Sequence, residues 1–131
     1  MEFDIKHKDG RVLWSGEAYD VANAVTRAIQ EGANLDGAQL ADADLAGANL
    51  EEARMRGANL QRARLRNANL EEADLREADL TGAQMDGVNV EETDLSGAIL
   101  VDVTARGANF EEASLENADL TRARAEGCNF E

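Results

Sequence analysis

The chain has 131 residues, a formal net charge of −14 at pH 7 and 44% hydrophobic residues. That length suits one domain and is too short for two ordinary globular cores, while so negative a balance repels nucleic acid and anionic membranes and suits a partner with a basic surface. Regularly spaced apolar residues exclude disorder for most of the chain, no apolar run reaches membrane-span length, and the lone Cys128 has no internal disulfide partner, so a cytoplasmic protein is expected.

The first segment, FDIKHKDGRVLWSGE at residues 3–17, consists of two alternating runs around Asp9-Gly10, a strong signal for a hairpin with a two-residue turn. In that register Ile5 faces Trp14 and His7 faces Val12, so Phe3, Ile5, His7, Val12 and Trp14 share one side. Asp20 then N-caps a helix whose apolar stripe is Val21, Ala24, Val25, Ala28 and Ile29, with Gly32 just past its end. His7 is the only histidine, and with no second His or Cys beside it to complete a site it reads as structural.

From Ala33 onward the chain repeats every five residues. Counting from Leu35, every fifth residue through Phe130 is Leu, Met, Val, Phe or Ala, and the residue two before it is small: Ala in most units, with Val88, Thr93, Val103 and Cys128 as exceptions. On an α-helix a step of five turns the chain by a net ~140°, which scatters these centres around the axis. In a flat strand an odd step sends successive centres to opposite faces. One geometry reconciles the pattern with a core: the chain bends by about 90° once per unit, so that every centre and every small residue points at a common axis and four units close a square coil. This geometry demands a second period of twenty, and it is present: NLEEA at 49–53 returns as NLEEA at 69–73, NVEET at 89–93 and NFEEA at 109–113. Ala105 before Phe110 and Ala125 before Phe130 set a small centre beside a large one, as a packed core requires.

Ala, then Asp or Asn, then Leu, then two variable positions is the pattern of the pentapeptide-repeat family, which residues 33–131 resemble. The resemblance implies an all-β solenoid, a right-handed quadrilateral β-helix of about five coils. Residues 1–32 then form an N-terminal β-hairpin plus α-helix cap over its first coil, and 33–131 the β-helix.

Nothing catalytic is visible. With one His and one Cys, acid–base and nucleophilic constellations lack their members; the Gly-Ala pairs belong to the repeat, no phosphate loop is present, and Cys128 occupies an inward position as a small residue. An enzyme is not expected, nor a cofactor.

Residues twenty apart should be neighbours on adjacent coils. Arg56 falls beside Asp36, Arg62 beside Asp42, Arg64 beside Asp44, Arg54 beside Asp74, Arg66 beside Asp86, Arg106 beside Asp86 and Glu126, and Arg122 beside Asp102. These are surface pairs of up to ~1 kcal/mol each. The fourth face differs. Its centres are preceded by Asn49, Asn69, Asn89, Asn109 and Asn129 and followed by Glu51, Glu52, Glu71, Glu72, Glu91, Glu92, Glu111, Glu112 and Glu131, and no arginine occupies these columns. Stacked Asn amides can bond along a solenoid, whereas stacked carboxylates repel.

Three readings of the Glu columns compete. They solvate the rod and discourage edge association, as in a structural scaffold or spacer; or they are an acidic recognition surface for a protein partner; or they hold a divalent cation weakly, having few oxygens per site. Nine charges along ~20 Å approach the charge density of duplex DNA, one per ~1.7 Å. Family resemblance adds an alternative here: the quinolone-resistance branch is thought to mimic DNA toward gyrase, a topoisomerase. The expected function is a non-enzymatic protein–protein interaction module acting through Glu51, Glu52, Glu71, Glu72, Glu91, Glu92, Glu111 and Glu112. Leu115, Leu120 and Phe130 of the last coil should form an apolar end, expected to join two copies as a homodimer.

Overall fold

In the computed structural model, which describes all of residues 1–131, strands β1 (Glu2–Lys6) and β2 (Val12–Glu17) form an antiparallel hairpin followed by helix α1 (Val21–Gln30). Ile5 faces Trp14 as the alternation predicts, but Lys6, not His7, faces Val12, because the register shifts between Ile5 and Lys6. The turn is also longer than expected. His7 O accepts Gly10 N and His7 N donates to Arg11 O, both at 2.8 Å, so the loop is Lys8-Asp9-Gly10, with Gly10 in the left-handed region at φ 97°. Three-residue loops of this kind follow the strand twist with a left-handed last residue, a place for glycine. Val12 is thereby turned outward, 51% exposed, whereas Ile5 and Trp14 are buried.

Asp20 caps α1 by accepting Asn23 N at 2.8 Å, and Ala24, Val25 and Ala28 are buried beneath it. Trp14 Nε1 donates to Glu31 Oε1 at 2.9 Å, and the Arg27 guanidinium lies 5.8 Å from the Trp14 ring centroid. Hairpin and helix are thus fastened through a cation–π contact and a bond to the helix end.

Beyond residue 33 the chain has no long strands. Single residues pair in parallel with residues twenty further on, as in Gln39 with Asn59, Asp44 with Arg64, Asn49 with Asn69 and Arg54 with Asp74. Four pairing sites per twenty residues make four sides. Three backbone bonds join each unit to the next coil, exemplified by Leu50 N to Asn69 O (2.7 Å), Asn69 N to Ala48 O (2.9 Å) and Glu52 N to Glu71 O (2.9 Å), while a corner bond such as Ala53 N to Leu50 O (3.1 Å) closes each bend. The centres from Leu35 to Phe110 are buried, as are nearly all the small residues two before them, in one continuous core.

The hairpin lies on the first coil. Gln39 N donates to Lys6 O (2.7 Å) and Lys8 N to Gly37 O (3.0 Å), so the end of β1 pairs with backbone groups of the first coil that have no preceding coil to bond.

Candidate functional site

Where the residue before a centre is Asp or Asn, its side chain fastens the corner that follows. Asn49, Asn69, Asn89 and Asn109 accept through Oδ1 from the backbone N–H of Glu51, Glu71, Glu91 and Glu111 at 3.2, 3.1, 3.1 and 3.0 Å. Asp74, Asp79, Asp94 and Asp119 do the same for Arg76, Thr81, Ser96 and Thr121. Each bond is an Asx turn that satisfies an N–H the ladder leaves free, which is why a short acceptor side chain recurs there. Sequence reasoning assigned the Asn column to stacking and missed this backbone role; its signal was the recurrence of Asp and Asn at the same phase beyond the fourth face, as at Asn34, Asp74 and Asp94 and at Asn59, Asp79 and Asp119.

The stacking is present as well. Asn Nδ2 donates to the Asn Oδ1 of the preceding coil from Asn69 to Asn49, Asn89 to Asn69, Asn109 to Asn89 and Asn129 to Asn109, at 3.4, 3.2, 3.3 and 3.4 Å. This ladder holds two glutamate columns in register. Glu71, Glu91 and Glu111 are half-buried and Glu51 exposed, while Glu52, Glu72, Glu92 and Glu112 are exposed at the corner with φ of 62°, 60°, 55° and 57°. None has a cation within ion-pair distance. Electrostatics follow: repulsion from Glu92, with some desolvation and the charge of Glu52, pushes the Glu72 carboxyl above the ordinary glutamate value. Desolvation, then Glu71 and Glu111, pushes Glu91 up.

Several acids on the other faces are matched. Arg62–Asp42 (2.9 Å), Arg64–Asp44 (3.8 Å), Arg106–Glu126 (3.5 Å) and Arg122–Asp102 (2.7 Å) pair as the twenty-residue register predicts, and hydrogen bonds from Arg62 and Arg122 lower the carboxyls of Asp42 and Asp102. Other predicted pairs do not form. Arg56 and Arg106 meet Asp36 and Asp86 through backbone N–H groups, and the Arg56 guanidinium turns to Glu77 at 2.7 Å. Arg54 does not reach Asp74, which Arg76 takes at 2.7 Å, and Arg66 and Asp86 make no ion pair. A long side chain beside a corner can choose acids on either side of it, so coil register alone does not name its partner.

At the far end Leu115 is half-buried, Leu120 is 43% exposed and Phe130 56% exposed; Phe130 stacks on Phe110 with centroids 5.1 Å apart. Cys128 is half-buried and its Sγ meets Ala105 O at 2.7 Å. His7 packs on Gly37 and accepts Asp9 N through Nδ1 at 3.0 Å. No three His, Cys, Asp or Glu side chains gather at metal-binding spacing, and no helix is long and apolar enough to cross a membrane.

A family model for pentapeptide repeats matches residues 31–62, 58–97 and 98–131, in 8 copies. Among solved structures the chain is similar to the pentapeptide repeat protein Rfr23 from the cyanobacterium Cyanothece 51142, with 33% identity over 71% of this chain and 64% of that one and a TM-score of 0.70. It is also similar to a pentapeptide repeat protein of the Arabidopsis thaliana thylakoid lumen, with 28% identity over 70% and 61% of the two chains and a TM-score of 0.57. QnrB1, a plasmid-mediated fluoroquinolone resistance protein, aligns with 20% identity over 70% of this chain and 58% of its own at a TM-score of 0.41, too distant to bear on function. The chain spans less than two thirds of the length of each of these proteins. No curated protein sequence matches it.

Proposed function

Because the chain belongs to the pentapeptide-repeat family of right-handed quadrilateral β-helices, we propose that it is a non-catalytic protein–protein interaction module that offers its fourth face to a partner with a basic surface. Residues 1–32 act in this reading as the cap and 33–131 as the rod that displays the face. One observation carries it: the Glu51/Glu71/Glu91/Glu111 and Glu52/Glu72/Glu92/Glu112 columns contain no arginine and make no ion pair, whereas Asp42, Asp44, Asp74 and Asp102 are each paired. A linear array of like charges on a hydrogen-bonded ladder is a preorganised complement to a basic surface, and it accelerates encounter more than it strengthens the final complex.

The test is an affinity capture comparing the parent chain with a variant carrying Glu→Gln at 51, 52, 71, 72, 91, 92, 111 and 112, followed by binding of the captured protein in purified form. A basic protein retained by the parent alone supports the module. Equal retention by both chains, or none, makes the columns a solvating surface and the rod a scaffold.

Mimicry of DNA toward gyrase or another topoisomerase is the second reading, supported by charge spacing: nine carboxylates along ~20 Å of rod approach the one charge per ~1.7 Å of duplex DNA. It requires purified gyrase to bind at low salt in competition with DNA, and absence of binding removes it.

Two further elements belong to the proposal. The exposed apolar end formed by Leu115, Leu120 and Phe130 supports a homodimer, which should appear as a doubled mass at tens of micromolar and revert to monomer in Leu120→Glu/Phe130→Glu; a monomeric parent refutes it. A cytoplasmic site is the expectation from the single cysteine, and cell fractionation decides it, since one similar protein comes from a thylakoid lumen.

A further inference from the structure

A groove of about 380 Å³ lies where the hairpin turn meets the first coils, and no apolar side chain lines it. Its floor is a corner without side chains: Gly37 and Gly57 stack there with φ of 72° and 69°, and Glu77 closes the corner on the next coil. A Cβ at Gly57 would meet nothing within 4 Å, so the backbone is open to close approach. The His7 ring forms one wall. Its Nδ1 is held by Asp9, 3.0 Å from both the backbone N and Oδ1; with Nδ1 accepting the Asp9 N–H, Nε2 carries the ring proton, a donor that no protein acceptor takes. Lys8 beside it has no ion-pair partner. Arg11 leans on Asp9 at 3.2 Å, and one carboxylate cannot use all five of its N–H donors.

The two carboxylates of the groove are already engaged by one residue. Glu77 Oε1 accepts Arg56 Nε at 3.0 Å and Nη2 at 2.7 Å, and Asp36 Oδ1 accepts Arg56 N at 2.9 Å. What remains unmatched is a set of donors of positive character, on a chain whose net charge is −14. From this arrangement we infer that the groove is an oxyanion site, shaped for the phosphoryl group of a small phosphomonoester or for free phosphate. Three acceptor oxygens on one tetrahedral centre answer the Lys8 ammonium, the Arg11 guanidinium and the His7 Nε2–H, and the bare Gly57 corner admits the remainder of an ester. A metal cation, by contrast, would meet Lys8 and Arg11.

His7 gives a direct readout, being the chain's single histidine. The experiment titrates inorganic phosphate, and separately ribose 5-phosphate, into the full chain at constant ionic strength. It follows the His7 ring resonance and the backbone amides of Gly37 and Gly57. The expected result is a saturable shift of all three signals with half-saturation at or below about 1 mM in low salt. Affinity should fall about tenfold in Lys8→Ala/Arg11→Ala and stay unchanged in Arg124→Ala, at the other end of the rod. Tighter binding of the sugar ester assigns the site to an organic monoester, and equal binding assigns it to the free ion. Linear drift matching a chloride control, or a saturable shift that survives Lys8→Ala/Arg11→Ala, overturns the site. Both replaced side chains are exposed, and the saturation of the parent chain is a test that requires no variant.

Discussion

Replacing Asn89 with Ala removes three hydrogen bonds from the middle of the acidic face. Asn89 Nδ2 donates to Asn69 Oδ1 at 3.2 Å, and its Oδ1 accepts Asn109 Nδ2 at 3.3 Å and Glu91 N at 3.1 Å. A neutral bond contributes a net ~0.5–1.5 kcal/mol, and the two long, half-exposed rungs belong at the low end of that range, so the loss should come to about 2 kcal/mol. Asn49 starts the ladder and accepts only two bonds, from Glu51 N at 3.2 Å and Asn69 Nδ2 at 3.4 Å; Asn49→Ala should cost about 1 kcal/mol. Urea unfolding followed by far-UV circular dichroism reads the difference as a lower midpoint at unchanged slope. Asn89→Asp refines the test, since it keeps the acceptor for Glu91 N but sets a charge between the Glu columns. It should be more damaging than Asn89→Ala at low salt and recover toward it at ~1 M salt, where the screening length is ~3 Å. Equal midpoints for Asn89→Ala and Asn49→Ala, or no shift in either, would refute the ladder as a source of stability.

Stability should peak on the acid side of neutrality. Glu72 and Glu91 sit above the ordinary glutamate value of 4.5, so the folded chain gains stability as pH falls from 7 and they protonate. Asp42, Asp74, Asp102 and Asp119 sit below the ordinary aspartate value of 3.8, so the stability they contribute is present above that value and is lost as pH falls through their folded values. A melting profile with its maximum near pH ~5 fits this balance, and a monotonic fall from pH 7 would not. Gly37→Ala should lower the melting temperature more than Gly57→Ala: both have positive φ, but only at Gly37 does a Cβ fall 2.2 Å from His7 Nε2. Thr93, fully buried in an inward column, donates to Leu70 O at 2.6 Å, an oxygen that Ala73 N also reaches at 2.9 Å. Thr93→Val orphans no acceptor and should stay within about 1 kcal/mol of the parent, with Thr93→Ala about 1 kcal/mol or more below it in urea unfolding.

Legibility in the sequence tracks how many constraints act on a residue at once. Leu50, Leu70 and Val90 could be placed because an apolar side chain in every fifth position has one direction in which it escapes water, and the twenty-residue echo of NLEEA names the neighbour above and below. Asp20 and Gly32 could be placed because the two ends of a helix call for different residues. The hairpin register could not: Asp9-Gly10 is compatible both with a two-residue turn and with Lys8-Asp9-Gly10, and that choice decides whether Val12 faces in or out. The partners of Arg54, Arg56 and Arg76 could not be read either, since an exposed guanidinium gains similarly from any acid within its reach. Of the face itself, the Glu columns and the Asn ladder were visible, while the groove was hidden because it joins the hairpin turn at His7, Lys8 and Arg11 to a corner of the rod, and the period that aligns Gly37, Gly57 and Glu77 does not extend into the hairpin.

The corners supply the last step in weighing the acidic face. Each unit places the second residue after its centre in the left-handed region, where a Cβ is disfavoured and glycine is at ease. Glycine takes that place at 37, 57 and 97 on one corner, at 47, 87, 107 and 127 on another and at 82 on a third. At the corner of the fourth face the places after Gly32 are Glu52, Glu72, Glu92 and Glu112, all with positive φ. Charge compounds the backbone cost, since Glu92 is the main influence raising Glu72, and no arginine alternates with them as Arg62 and Arg122 do with Asp42 and Asp102. Fold stability by itself would favour glycine or asparagine at these four places, and the proposed contact supplies a reason for glutamate there that the fold does not. The consequence is a dissociation of two measurements. A variant with Glu→Gly at 52, 72, 92 and 112 should melt higher than the parent at low salt, the greater chain entropy of glycine offsetting only part of the gain, and should lose the partner. A variant that melts lower would refute the backbone and charge reasoning; one that melts higher and binds the partner as the parent does would move the contact off this corner, to the Glu51, Glu71, Glu91 and Glu111 column or to another face.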